Sequence, residues 1–394
     1  MNLYVVYFSA LPQKKEVKFH GGGEYTRNIL SSVVEQNREN VNICILCPKW
    51  FELSEENEFI PFDCKKVEWV KVESPDKFMG YLPGDTIYYP MLGYASELRE
   101  VTSIRKNNPS VKIYATIHDV RFLEYSYDWT EKYYESGVKR ILFPLSSMLI
   151  DNWAKKIIKR PLLKKCLKAL DRVYTVSNYS MQSILKQNKN IDISVYYQTV
   201  KAIEKNACDR MIPEEYILFV SGARPIKNLT HALLGFSKYK KERPDDKKKM
   251  VITGITEVQF RKLCDLPELN YEYIKSQCIL LEYVSKEKLA SLYKNCRFVL
   301  YVSKNEGFGL PVLEAASYGK TCVASNRASI PEVIGNGSVY VNPINDGMIA
   351  DAIAFFDIDS NLKKYEHRVA ELWPCLCERM YLDRNNLISD LLEN

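Results

Sequence analysis

Two doubly wound α/β domains facing a central cleft are the fold class this sequence predicts, and three observations predict it. Short apolar, β-rich runs alternate with stretches of helical period such as Tyr25–Gln36. The alternation restarts after a polar stretch around Val200–Pro213. The chain has 394 residues, 46% hydrophobic and 26% charged. That suits two domains of roughly 100–200 residues, each with its own core.

The first strand is Leu3–Ser9, which lacks the basic leader of a signal peptide. Val41–Cys47, Val67–Val72, Asp85–Pro90, Lys112–His118 and Arg172–Ser177 follow with the same short apolar character. Strands separated by helices imply right-handed crossovers and a parallel sheet covered on both faces. The second half repeats the scheme with Tyr216–Gly222, Lys249–Gly254, Gln277–Glu282, Phe298–Ser303, Thr321–Ser325 and Ser338–Val341. Residues 1–205 and 206–370 are thus two Rossmann-like domains, and the stretch 348–394 has a helical pattern. Ligands in such sheets bind beyond the carboxyl ends of the strands, so the residues that follow each strand are the candidates for function.

Composition narrows the class. No apolar run reaches the roughly 20 residues that span a bilayer. Eleven scattered cysteines do not make a disulfide framework, so they are expected as reduced thiols in a soluble, cytoplasmic chain. Cys44 and Cys47 have redox-motif spacing, but residues three apart on a strand point to opposite faces, which predicts buried structural thiols. Cys375, Cys377 and His367 lack the second ligand pair of a zinc site. The net charge of +6 is concentrated in residues 151–172, where eight Lys and Arg stand against Asp151 and Asp171. Trp153, Ile157, Ile158, Leu162, Leu163, Leu167 and Leu170 interleave with them, in a helical pattern that Pro161 is expected to break. That segment reads equally as a surface for an anionic membrane and as a solvated helix face. Nothing resembles a base-reading motif, so nucleic acid is not an expected partner.

Four strand ends carry chemistry. Ser303 to Ala315 follows a buried strand and opens a helix, with Pro311 suited to its first turn. Gly307 and Gly309 let the backbone approach a ligand, and the amides of Phe308, Gly309 and Leu310 with the positive helix end suit a diphosphate. Glu306 on the loop and Glu314, expected in the first helical turn, could each accept hydrogen bonds from vicinal sugar hydroxyls. Val220 to Leu229 places Arg224, Lys227 and Asn228 just past another strand, where two cations could grip a leaving diphosphate. His20-Gly21-Gly22-Gly23-Glu24 reads as a flexible loop that approaches a phosphate or sugar. It is no dinucleotide fingerprint, since Thr26 stands where the third glycine would be and no acidic residue ends the second strand. His118 closes the Lys112–His118 strand at its ligand-facing end.

The setting Glu306-Gly-Phe-Gly-Leu-Pro-x-x-Glu314 resembles the signature of the retaining GT-B glycosyltransferases of family 4, the glycosyl transferases group 1. Ala324 to Val333, Val341-Asn342-Pro343, Thr175-Val176-Ser177 and Tyr283-Val284-Ser285 are similar to that family as well. The resemblance implies a nucleotide-sugar donor held by the second domain and a saccharide or lipid-linked acceptor held by the first. It implies that Glu314 binds the ribose, Glu306 the transferred sugar, and Arg224 and Lys227 the diphosphate. Phe308 to Leu310 would meet the diphosphate and sugar, and Val284 the base. His118 would touch the sugar, and Gly22 and Gly23 would close on donor and acceptor. Residues 371–394 would cross back to the first domain.

The reaction so implied is hexosyl transfer with retention and without a covalent intermediate, in surface polysaccharide or glycolipid synthesis at the inner membrane face. Cations stand in for a metal, so neither a cofactor nor a divalent ion is expected. The stretches Thr116-Ile117-His118-Asp119 and Ser325 to Val333 resemble mannosyltransferase-like members, which favours GDP-mannose over a UDP-sugar. The competing readings are a noncatalytic GT-B scaffold or partner subunit, and a phosphorylase that uses free phosphate.

Overall fold

The computed structural model describes residues 2–8, 11, 21–37, 41–52, 60, 62–200 and 211–393. His20, most of the Val200–Pro213 stretch and the 205/206 boundary lie outside them. The chain divides into two compact units: residues 2–123, 154–199 and 377–393 form the first, and 124–153 with 211–376 the second.

In the first unit, β1 (Asn2–Val6), β2 (Asn42–Pro48), β3 (Glu68–Val72), β4 (Thr86–Tyr89), β5 (Lys112–Thr116), β6 (Arg172–Thr175) and β7 (Ile193–Val195) pair in the order β3-β2-β1-β4-β5-β6-β7. Every ladder is parallel. The sequence pattern misses β7, because a three-residue edge strand with a central serine carries too little periodicity to register. Alternate residues feed separate cores: Tyr4 and Val6 pack on one face, Leu3 and Val5 on the other. Cys44 and Cys47 likewise point into different cores, and all ten cysteines among the described residues are unbridged.

The second unit repeats the design with β8 (Tyr216–Phe219), β9 (Lys249–Thr253), β10 (Cys278–Leu281), β11 (Val299–Tyr301), β12 (Cys322–Ser325) and β13 (Ser338–Val341). Their order is β10-β9-β8-β11-β12-β13, again parallel throughout. Both sheets start at a central strand, run to one edge and return beside the first strand. In each, that reversal opens a crevice where helices on either side lead away from the carboxyl ends.

Two boundaries differ from the sequence reading. Residues 124–153, assigned there to the first domain, group with the second unit. Their 128–134 turn is anchored by buried polar contacts to the second sheet's loops and by Tyr133 in that unit's core, a mixture that periodicity does not flag. The helix Asp359–Leu392 is shared, residues 377 onward grouping with the first unit and sending Leu387, Ile388 and Leu391 into the core around Tyr25 and Ile29.

Pro161 breaks nothing. Helical turns run from Gly137 to Leu167, with wider π turns at Pro144–Ile150 and Lys155–Lys159, and Pro161 falls in the first turn of the helix Arg160–Leu167. Pro161 has no amide to donate, and it follows directly on the wider turns at Lys155–Lys159, where the regular i to i−4 bonding is already interrupted. Among the described residues no helix is long and apolar enough to cross a membrane.

Candidate active site

The reversal of the second sheet lies between β8 and β11, and the two loops that leave these strands build one charged cluster. After β8, Gly222 packs so closely that a Cβ there would sit 2.8 Å from Ile252 Cγ2, which holds the turn against β9. Asn228 closes the turn in a left-handed conformation at φ 66°. Its side-chain amide donates to the Val302 and Pro343 carbonyls at 3.0 and 2.6 Å. Asn228 therefore ties the Lys227 turn to the loop after β11, a structural duty beside the donor-binding role expected of it.

That tie delivers Lys227 to Glu306. The ammonium donates to Glu306 Oε1 at 2.7 Å and to the Tyr301 hydroxyl at 2.8 Å, with all three groups buried. Ser303 Oγ donates to the same carboxylate oxygen at 2.5 Å. Ser329 Oγ lies 2.9 and 3.0 Å from the backbone carbonyls of Glu306 and Phe308, so the loop is held through side chain and backbone alike. A buried lysine and carboxylate that are paired and hydrogen-bonded keep their charges where a lone one would neutralise.

Gly309 stands at φ 98°, a conformation only glycine takes without strain, and immediately precedes the helix Leu310–Ser317 with Pro311 in its first turn. The amides of Phe308, Gly309 and Leu310 thus lie at a helix N-terminus, where the macrodipole favours an anion. Glu314 falls in the second turn of that helix, one turn later than the sequence reading put it. Burial pushes its carboxyl above the ordinary range, and the Tyr293 hydroxyl, donating at 2.6 Å, works against that rise. Arg224 is exposed on the β8 loop, its charge within influence of Tyr301. Val284 sits, half-buried, between β10 and the helix Lys286–Asn295, whose first turn is capped by Ser285.

In the first unit the expected loop at Gly21–Gly23 is the opening turn of the helix Gly21–Gln36. Gly22 is fixed there by its carbonyl, which accepts from Thr26 Oγ1 at 3.0 Å. The polar pattern Gly22-x-x-x-Thr26 offered that i,i+4 bond and was overlooked for the glycines. The helix brings the Tyr25 ring edge-on to His118 at 4.6 Å. The Gln198 side-chain amide lies 2.6 Å from His118 Nδ1 and can only donate, so the proton sits on Nε2, which faces the Pro90 carbonyl at 3.3 Å. His118 is thereby set as a neutral imidazole.

Sequence reasoning missed Tyr301, which looked like one more apolar strand residue, and Tyr293, hidden in a helical pattern. Lys304 lies inside the Ser303–Ala315 stretch, but nothing in the sequence gives it a task. Sequence reasoning also passed over Asp128-Trp-Thr-Glu131, whose spacing is that of a capping box.

With the geometry in place, comparison with known proteins defines the class. Residues 205–371 match the family model Glycosyl transferases group 1, and the two parallel-sheet units are those of a GT-B fold. The chain is similar to the O-antigen chain mannosyltransferase RfbU of Salmonella typhimurium, with 30% identity over 52% of this chain and 56% of that protein. It is also similar to the serotype-specific mannosyltransferase WbdA of Escherichia coli, 31% identical over 34% of this chain and 16% of the other. The aligned region thus spans little more than half of the first relative and about a sixth of the second. An Escherichia coli structure described as trehalose-6-phosphate bound with UDP-2-fluoro glucose shares the fold. Its TM-score is 0.66 at 13% identity, over 100% of this chain and 99% of that one.

Proposed function

We propose that this protein is a retaining glycosyltransferase of surface polysaccharide or glycolipid synthesis, moving a hexosyl group, mannosyl in the favoured case, from a nucleotide sugar to a saccharide or lipid-linked hydroxyl. The observation that carries the reading is the buried Lys227–Glu306 pair set beside the Gly309 helix start and Glu314. Lys227 and Arg224 meet the diphosphate as its bond to the sugar breaks, and the helix N-terminus shares the charge. The acceptor oxygen bonds to the same sugar carbon from the same face, and its proton passes to the departing phosphate. Glu306 orients the sugar hydroxyls and Glu314 the ribose, while His118 turns its Nε2–H from the Pro90 carbonyl to a sugar hydroxyl. No divalent ion or cofactor is required, since the cations are the chain's own. The mannosyltransferase names of RfbU and WbdA favour a GDP-sugar.

The acceptor side of the proposal includes an anionic membrane surface. Between Val138 and Ile158, Ile141, Leu149, Ile150 and Trp153 are each more than half exposed, with Lys155, Lys156 and Lys159 alongside. Apolar side chains in water beside a row of lysines are what a bilayer of anionic lipid would cover.

The test is a thermal-shift series with GDP, UDP, GDP-mannose and UDP-sugars, with Lys227→Ala as control. Ligand at 100 times its dissociation constant adds about 2.7 kcal/mol to folded-state stability, a rise of several degrees in Tm. A shift with GDP species alone supports mannosyl transfer, and one with UDP species alone keeps the transferase and replaces the donor. No shift with either returns the noncatalytic scaffold as the better reading. Sedimentation with vesicles of anionic against neutral lipid tests the membrane surface.

A further inference from the structure

The loops that carry Lys227 and Glu306 share a second set of partners. Residues 128–134 form a tight turn capped by Asp128, whose backbone amide donates to Glu131 Oε1 at 3.2 Å. Lys304, two residues before Glu306, reaches into this turn: its ammonium donates to Glu131 Oε1 at 2.7 Å and pairs with Asp128. Lys304 and Glu131 are almost wholly buried. On the other loop, the Tyr134 hydroxyl accepts the Leu229 amide at 3.0 Å, two residues after Lys227, and Thr130 Oγ1 meets Thr230 Oγ1 at 3.0 Å. His231 completes the set, 3.6 Å from Asp128 and 2.7 Å from Asp346.

A buried ion pair is a poor source of stability but a stringent one of geometry, because it is favourable only when every member stays in register. Here the register spans both loops. The Lys304 backbone amide also donates to the Ile226 carbonyl at 2.9 Å, so neither loop can shift without breaking a bond at 128–134 or at its neighbour.

We propose that Asp128, Glu131 and Tyr134 are positioning residues that hold Lys227 and Glu306 in their reactive geometry, Glu131 and Asp128 acting through Lys304 and Tyr134 through the Leu229 amide. None of the three touches the reacting atoms. The claim rests on the transferase reading only for its kinetic arm. Glu314 and Val284, proposed to hold ribose and base, lie on other elements, so the clamp governs the diphosphate and sugar contacts rather than the nucleoside ones.

The experiment compares wild type, Glu131→Gln, Lys304→Arg and the milder Tyr134→Phe by hydrogen exchange, nucleoside-diphosphate titration and donor turnover. In Glu131→Gln, exchange over residues 303–310 rises at least tenfold and kcat falls at least tenfold, a larger loss than in GDP or UDP affinity. Tyr134→Phe raises exchange over 227–231 by a smaller factor, and Lys304→Arg, which keeps the charge, recovers most of the turnover that Glu131→Gln loses. Unchanged exchange at both loops in a folded variant overturns the proposal. So does raised exchange with wild-type kcat. A wild type that transfers no sugar counts against the transferase reading instead, and the exchange data still decide the clamp. If Glu131→Gln does not fold, Tyr134→Phe carries the same test.

Discussion

Beyond β8 and β11 the second unit gathers charge: Lys227 on Glu306, Lys304 on Glu131 and Asp128, His231 between Asp128 and Asp346. Beyond β5 the first unit gathers mainly neutral dipoles, His118 with Gln198 and Pro90 and Thr116 with the hydroxyls of Tyr25 and Tyr88, beside the partly exposed Asp119–Arg121 pair. The strand order through the reversal is the same in both sheets. One strand order thus carries a buried ion-pair cluster in one unit and mainly neutral hydrogen bonds in the other. The lesson is that the fold fixes where chemistry happens, while a handful of side chains at the strand ends decides which kind.

The widest way to break this contrast is to neutralise the charged side. Lys227→Met leaves Glu306 buried without its partner, which costs about 3–5 kcal/mol of stability. It also removes a cation aimed at developing charge, for a loss of roughly 10²–10³ in kcat. The double variant Lys227→Met with Glu306→Gln should recover stability in a denaturant titration and none of the turnover. Recovery of both would reduce the pair to a structural role.

The matching change on the neutral side is smaller. On the proposed function His118→Ala removes one uncharged hydrogen bond to substrate, about 1 kcal/mol, so turnover should fall roughly fivefold. Nucleotide affinity measured by titration should not change. A loss of nucleotide binding in this variant would mean that the two sides are not divided by charge as described.

The finest contrast is in pH. Burial alone would lower the His231 pKa, but the pull of Asp128 and Asp346 outweighs it and holds the imidazolium above its ordinary range. Burial likewise opposes the charge on Asp128, yet His231 and Lys304 keep its carboxyl well below the usual range. A raised histidine pKa stabilises the fold fully below the unfolded value of about 6.5, and the benefit disappears as pH climbs through the folded value. The stability gap between wild type and His231→Gln, of roughly 1 kcal/mol, should therefore be largest near pH 6 and shrink toward alkaline pH. A gap that widens with pH would contradict the charged imidazole.

How much of this was legible in the sequence follows the same division. Strands buried on both faces are written as apolar runs, and twelve of the thirteen appear in the pattern within a few residues of their observed ends. The Glu306-to-Glu314 spacing and the Lys227 turn declare themselves, because glycine, proline and acid at fixed offsets have few structural uses together. Glu131 and Tyr134 do not declare themselves, because their partners lie 173 and 95 residues away. A polar residue that is buried by a distant partner looks like a solvated one until the chain is folded. Gly22 failed in the opposite sense: glycines suggested looseness where Thr26, four residues on, fixes a helical turn.

The first unit is assembled from three separate stretches, and its core around Tyr25 and Ile29 closes only with Leu387, Ile388 and Leu391. On the ribosome, therefore, β1 to β7 emerge well before that last apolar face exists, and the second unit can mature in the meantime. The nascent first unit waits with a hydrophobic strip uncovered for the time needed to translate nearly two hundred further residues, about 10–40 s at roughly 5–20 residues per second. Chaperone demand and aggregation during synthesis should thus track the integrity of the final helix, far more than that of any catalytic loop.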